Sequence, residues 1–147
     1  MPRSLRRVGS NKYNVLMKKE VVTIQGLAKP PSPFNHVVKA GGFLFLSSQL
    51  SVDLHTHTLL EGTVAGQTRQ SLENIKFLLE SCGSSLDDVV KVVVYMKDVA
   101  KFQEMNQVYR EYFKDGEEPA RVAIQARSPL PNIDIEIEAV AVVAGKL

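Results

Sequence analysis

The 147-residue sequence has a single cysteine, Cys82. That excludes an intramolecular disulfide and any zinc cage built on cysteine, and it fits a reducing compartment. No apolar run approaches the roughly 18–20 residues that span a bilayer, and no secretory apolar segment is present. A strong charge of either sign is missing as well. Eighteen basic and sixteen acidic residues leave a formal charge of +2, a balance that calls for neither a nucleic-acid nor a membrane partner. P-loop, GxGxxG, GxSxG and HExxH motifs do not occur. Neither do internal repeats, low-complexity tracts, or a Ser-His-Asp or Cys-His nucleophile pattern.

What is present is enough apolar material for a core. Hydrophobic residues make up 44% and charged residues 23% of the chain, as expected of one compact domain. Residues 1–17 form a separate basic leader, with Arg3, Arg6, Arg7 and Lys12 and no acid. Three readings stand: an organelle transit segment, a floppy basic tail, or residues upstream of a true start at Met17. Residues 18–147 form the domain, and the cytoplasm is the expected compartment.

Taken in order, residues 19–24 suit a first strand. Pro30, Pro31 and Pro33 hold the next segment extended, as a connector or a pocket wall. Two apolar runs, 36–40 and 43–47, flank Gly41-Gly42 and predict a hairpin. Ser47, Ser48 and Gln49 place polar groups where apolar ones are expected, either capping a strand end or lining a site. The loop 51–62 carries His55 and His57. No third histidine or cysteine is near to complete a metal set, so a solvated loop is expected. Val64, Thr68, Leu72, Ile75, Leu79 and Cys82 recur at helical steps. They predict a helix from Thr63 to about Cys82, with Gly83 as the stop, Cys82 in the core and Gln67 on the polar side. Val89–Met96 is a continuous apolar run interrupted only by Lys91, which predicts a strand buried on both faces. Asp98 is an N-cap for a second helix running to about Phe113. Asn106 falls within its apolar stripe of Phe102, Met105, Tyr109, Tyr112 and Phe113. There it is either a satisfied structural asparagine or the brace of a nearby site.

The stretch 119–141 carries most of the information. Both halves alternate with period 2 around a Pro-containing connection, which predicts a closing hairpin. In the second half, Ile133, Ile135, Ile137, Ala139 and Ala141 share one face. The other face begins with Asp134, Glu136 and Glu138 and ends with Val140 and Val142, as for a strand passing from a wet cleft or interface into a core. Arg121, flanked by small residues, has a planar fork suited to a carboxylate. Glu136 is able to orient water or relay a proton. Two plainer readings remain for this pair: a salt bridge to each other, or solvation on a sheet edge. The element order β-β-β-α-β-α-β-β points to an α+β fold, with two helices on one face of a mostly antiparallel sheet of about six strands.

Pro119-Ala120-Arg121, followed by the Ile135-Glu136-Ile137-Glu138-Ala139 strand, resembles the C-terminal signature of the Rid family. These are YjgF-type reactive intermediate deaminases, also described as endoribonuclease L-PSP-like proteins. The likeness covers about residues 18–143, including the Leu72-Glu73-Asn74-Ile75 and Asn106 helices. It implies a chorismate-mutase-like fold and a homotrimer with sites between subunits. It also implies hydrolysis of carboxylate-bearing 2-imino acids and 2-aminoacrylate-type enamines to 2-oxo acids and ammonia, without metal or cofactor. By that resemblance Arg121 binds the carboxylate, Glu136 positions water, Ser47 lines the pocket and Asn106 supports it. Three pocket positions depart from the best-known members, and they bear on substrate preference. Phe34 stands for a tyrosine, Ser48 for a glycine and Ala123 for a cysteine. Two other functions stay open: a non-catalytic 2-oxo acid-binding or regulatory protein, and an endoribonuclease or translation inhibitor, against which the near-neutral charge argues.

Overall fold

The computed structural model describes residues 18–143; the basic leader lies outside the described residues. The strands are β1 (Glu20–Val21), β2 (Val37–Ala40), β3 (Phe43–Leu50), β4 (Val89–Met96), β5 (Ala120–Gln125) and β6 (Ile135–Val142), with α1 (Val64–Ser81) after β3 and α2 (Phe102–Tyr109) after β4. The six strands form one sheet in the order β1-β2-β3-β6-β4-β5. All pairings are antiparallel except β4 with β5. Both helices cover the same face, α1 packing on β3, β6 and α2. No helix among the described residues is long and apolar enough to cross a membrane.

Local chemistry sets the elements. Gly41 and Gly42 take φ values of 57° and 81° between the paired Ala40 and Phe43, as a two-residue hairpin turn requires. The Thr63 side chain caps α1 by accepting from the Gly66 N–H. Gly83, at φ 72°, ends it beyond Cys82, which packs partly buried against the core. The core is built from Leu44, Leu46, Val92, Val94, Met96, Ile135, Ile137, Ala139 and Ala141 of the sheet, facing Leu72, Ile75, Leu78, Leu79 and Met105 of the helices.

Several expectations are corrected. The stretch 119–141 is not a hairpin, because β4 lies between β5 and β6. The chain crosses through α2 into a strand parallel to β4, and residues 126–134 then pass over the end of β4. There the Ala126 N–H donates to the Met96 carbonyl (2.8 Å) and the Lys97 N–H to the Asp134 carbonyl (2.9 Å). β4 is not buried on both faces: Val90 is 42% exposed, and Val93 and Tyr95 are only partly covered. The helices form one layer, and nothing among the described residues covers the outer face. β1 is only two residues long. α2 stops at Tyr109; Asp98 caps the 3-10 turn Val99–Lys101 that leads into it.

Gln67 is also not on the polar side. It is 1% exposed. Its amide donates to the carbonyls of Gly62 and Asn132 (both 3.1 Å) and accepts from the Asp134 N–H (2.8 Å). An amide with both ends satisfied is tolerated in a core, and here it pins the segment entering β6.

Candidate active site

Two half-sites emerge on opposite faces of the sheet. The first lies where the edge strand β5 meets α2. Arg121 points toward the helix layer, where its Nη1 donates to the Asn106 Oδ1 at 2.7 Å. Its guanidinium carbon lies 4.5 Å from the Tyr109 ring centroid and 5.6 Å from that of Phe102. Phe102, Asn106 and Tyr109 follow one another at helical spacing, so a single stripe of α2 supplies both the hydrogen bond and the aromatic bed. Ala123, two residues on and on the same face, is half-buried. The guanidinium is therefore held flat with donors left over, as carboxylate capture needs. Burial pushes the Tyr109 phenol up to about 12, and its hydroxyl has no partner among the described residues.

The second half-site is a pocket of about 200 Å³ on the outer face, lined by Ser48, Tyr95, Arg127, Ser128, Glu136 and Glu138, among others. It owes its shape to an irregularity in β3. Leu46 pairs with Ala139 and Gln49 with Ile137, so Ser47 and Ser48 together stand opposite Glu138, a bulge that re-aims side chains. The two serines diverge. Ser47 turns to the segment before β2, its Oγ donating to the Asn35 carbonyl (2.7 Å) and its N–H to that of His36 (3.0 Å). Ser48 Oγ donates to Glu136 Oε2 at 2.8 Å. Gln49 turns inward and is buried. Ser128, from the connection before β6, donates to Glu136 Oε1 at 2.5 Å. The Tyr95 hydroxyl donates to Glu138 Oε1 at 2.6 Å. That bond, then burial and the carboxylate charges, pushes Tyr95 up to about 12.

Phe34 is 42% exposed, edge-on to His36, on the segment that Ser47 holds. His55 and His57 face different neighbours. His57 stacks on His36 at 6.4 Å, and His55 meets Phe77 edge-on at 5.5 Å. Among the described residues no three His, Cys, Asp or Glu side chains group as metal ligands.

Arg121 and Glu136 do not meet within one chain, so they are not salt-bridge partners there. Arg121 aligns with Val92 and Glu136 with Tyr95 across β4. With strands about 4.8 Å apart and about 3.3 Å per residue, their Cα atoms are separated by roughly 14 Å. Five residues around the two half-sites escaped sequence reading: Tyr95, Tyr109 as a ring under Arg121, Arg127, Ser128 and Glu138. Tyr109 was signalled by its spacing from Asn106. Ser128 carried no signal, because it reaches Glu136 through the shape of an irregular segment.

The family model described as Endoribonuclease L-PSP matches residues 25–143. A RutC family protein of Pyrococcus horikoshii is 46% identical over 123 residues, 84% of this chain and 97% of that protein. Among solved structures, the Rid-family protein YyfA of Yersinia pestis superposes with a TM-score of 0.78 at 28% identity, covering 86% of this chain and 100% of that one. TdcF of E. coli, solved with bound serine, gives 0.73 at 31% identity, covering 84% and 98%. With its helix-backed six-stranded sheet and a match spanning almost all the described residues, the chain belongs to the endoribonuclease L-PSP family, the YjgF/Rid group.

Proposed function

We propose that the protein hydrolyses reactive 2-imino acids and their 2-aminoacrylate-type enamine tautomers to 2-oxo acids and ammonia. One observation carries this reading: a guanidinium preset for a carboxylate and a carboxylate preset by hydroxyls occupy separate, complementary half-sites. Both are completed if the Arg121 half-site of one copy meets the Glu136 pocket of another. The uncovered outer face, with Phe43, Phe45, Val90, Val122 and Ile124 each at least 40% exposed, supplies apolar surface for such an assembly. A heterologous contact of this kind makes a ring where its rotation closes, and a trimer with three sites is the assembly we favour. The single cysteine agrees with a cytoplasmic setting.

In this mechanism Arg121 clamps the substrate carboxylate, and Asn106 and Tyr109 hold the clamp. Glu136 takes a proton from water as the water oxygen bonds to the imine carbon and the C=N electron pair moves to nitrogen. The same group returns that proton to nitrogen, giving a carbinolamine. It then carries the hydroxyl proton to the amine as the C–N bond breaks, releasing ammonia and leaving the carbonyl. Phe34, Ser47, Ser48 and Ala123 border the substrate.

A second reading, binding of a small amino or oxo acid without turnover, is favoured by the serine bound in TdcF. One experiment separates them. An L-amino acid oxidase generates imines, semicarbazide traps them, and the protein is added in catalytic amount. We expect faster imine loss with the native protein and none with Arg121→Ala. Saturable 2-oxo acid binding without imine loss would leave the binding reading standing. The endoribonuclease reading, against which the near-neutral charge weighs, requires RNA cleavage that survives Arg121→Ala and repeated purification.

A further inference from the structure

We infer that Ser48 and Ser128 are positioning residues that fix the Glu136 carboxylate and complete the cradle for the attacking water; this rests on the hydrolytic reading above. A serine hydroxyl has one proton to donate, and both serines direct theirs at Glu136, one to each oxygen. They come from segments far apart in the chain. Ser48 is aimed by the bulge in β3. Ser128 is set by a short turn in which its Oγ accepts from the Leu130 N–H at 3.2 Å. The ends of that connection are tied to β4 and Gln67 through Ala126 and Asp134. The carboxylate cannot turn about its last torsion without breaking one of these bonds. Among the described residues Glu138, its neighbour on the same face, accepts a hydroxyl on one oxygen only, from Tyr95.

The arrangement also sets the water. With its proton committed to Glu136, Ser48 Oγ offers the pocket a lone pair, and Glu136 keeps unused acceptor positions of its own. A water in the pocket of about 200 Å³ that both residues line donates one hydrogen to Glu136 and the other to Ser48. Its remaining lone pair faces the space where the imine carbon arrives. Ser48 keeps its own proton throughout, and the proton that moves goes from water to Glu136.

The test is a double-mutant cycle in steady-state turnover of the imine generated from alanine. Ser48→Ala and Ser128→Ala should each lower kcat about tenfold with KM changed less than about twofold, as loss of fixed geometry does. Ser48→Thr, which keeps a hydroxyl, should stay within about threefold of the native kcat. In a Glu136→Gln background, assayed at higher protein concentration, Ser48→Ala should add less than about twofold, because the group it positions is already changed. An unchanged kcat in both alanine variants overturns the inference. So does an equal tenfold loss in the Glu136→Gln background. If Ser48→Ala does not fold, Ser128→Ala carries the same cycle, since Ser128 lies outside the strands. Turnover by the native protein with an additive cycle defeats this inference alone, whereas native protein inert on every imine defeats the hydrolytic reading and this inference with it.

Discussion

Arg121 and Glu136 stand on opposite faces of one sheet, with β4 between their strands. If the reaction uses both, two inactive variants repair each other. Arg121→Ala and Glu136→Ala, unfolded together and refolded as an equal mixture, should recover about a quarter of native activity. Random assembly gives one interface in four an intact arginine facing an intact glutamate. Zero recovery from a mixture shown to exchange subunits would sink the shared site.

The outer face makes its own prediction. Phe45 is 46% and Ile124 44% exposed in the single chain. Phe45→Glu or Ile124→Glu places a charge on apolar surface that the assembly would bury, at a cost of several kcal/mol per interface. Light scattering should show the native protein at three times the chain mass and the variants as monomers that keep their far-ultraviolet circular dichroism. Variants that remain trimeric would move the interface elsewhere.

Gln67 and Tyr109 are opposite cases of a buried polar group. Gln67 makes three hydrogen bonds, so Gln67→Leu strands their partners and should cost about 2–4 kcal/mol in urea unfolding. The Tyr109 hydroxyl is buried without a partner among the described residues, so Tyr109→Phe should be neutral or stabilise by up to about 1 kcal/mol. A large loss in Tyr109→Phe would mean that the hydroxyl has a partner in the assembly.

His36 gives a pH signature. Burial, and then the charge of His57, holds its imidazole below the usual 6.5, and neither ring nitrogen has a partner among the described residues. The unfolded chain therefore binds the proton first. Stability is present above about pH 6.5 and declines as the pH falls from there toward the lower folded value. The melting temperature should therefore be lower at pH 5.5 than at pH 7.5. His36→Asn should flatten that drop; a slope unchanged in the variant would assign it to another group.

Most of the architecture was legible because it is local. The Gly41-Gly42 turn, the apolar periodicity of α1 and the run 89–96 each encode one element. The pairing of β5 was not. Alternation in 119–141 says that two strands exist but is silent on which neighbour each takes, and β4 entered between them. Gln67 was misplaced for a related reason: side-chain polarity predicts solvent unless a partner waits in the fold, and its partners lie in the segment 132–134. At the site, the residue types of Arg121, Glu136 and Asn106 drew notice on their own. Ser128 did not, since its contact with Glu136 exists only after the connection crosses the end of β4. The outer face misled in a useful direction. Val89–Met96 reads as buried on both sides, and the described residues of one chain bury only one.

The strand at the centre of the sheet, β6, is the last of the described strands to be made. It alone joins β3 to β4, so a chain emerging from the ribosome holds two unconnected ribbons, β1-β2-β3 and β4-β5, each with an open hydrogen-bonding edge. Neither ribbon closes until β6 slides between them, and contacts so distant in sequence form slowly. Nascent chains stalled before residue 135 should thus be ready substrates for holding chaperones and for edge-to-edge aggregation, and release of the final strand is the moment at which the sheet becomes a single body.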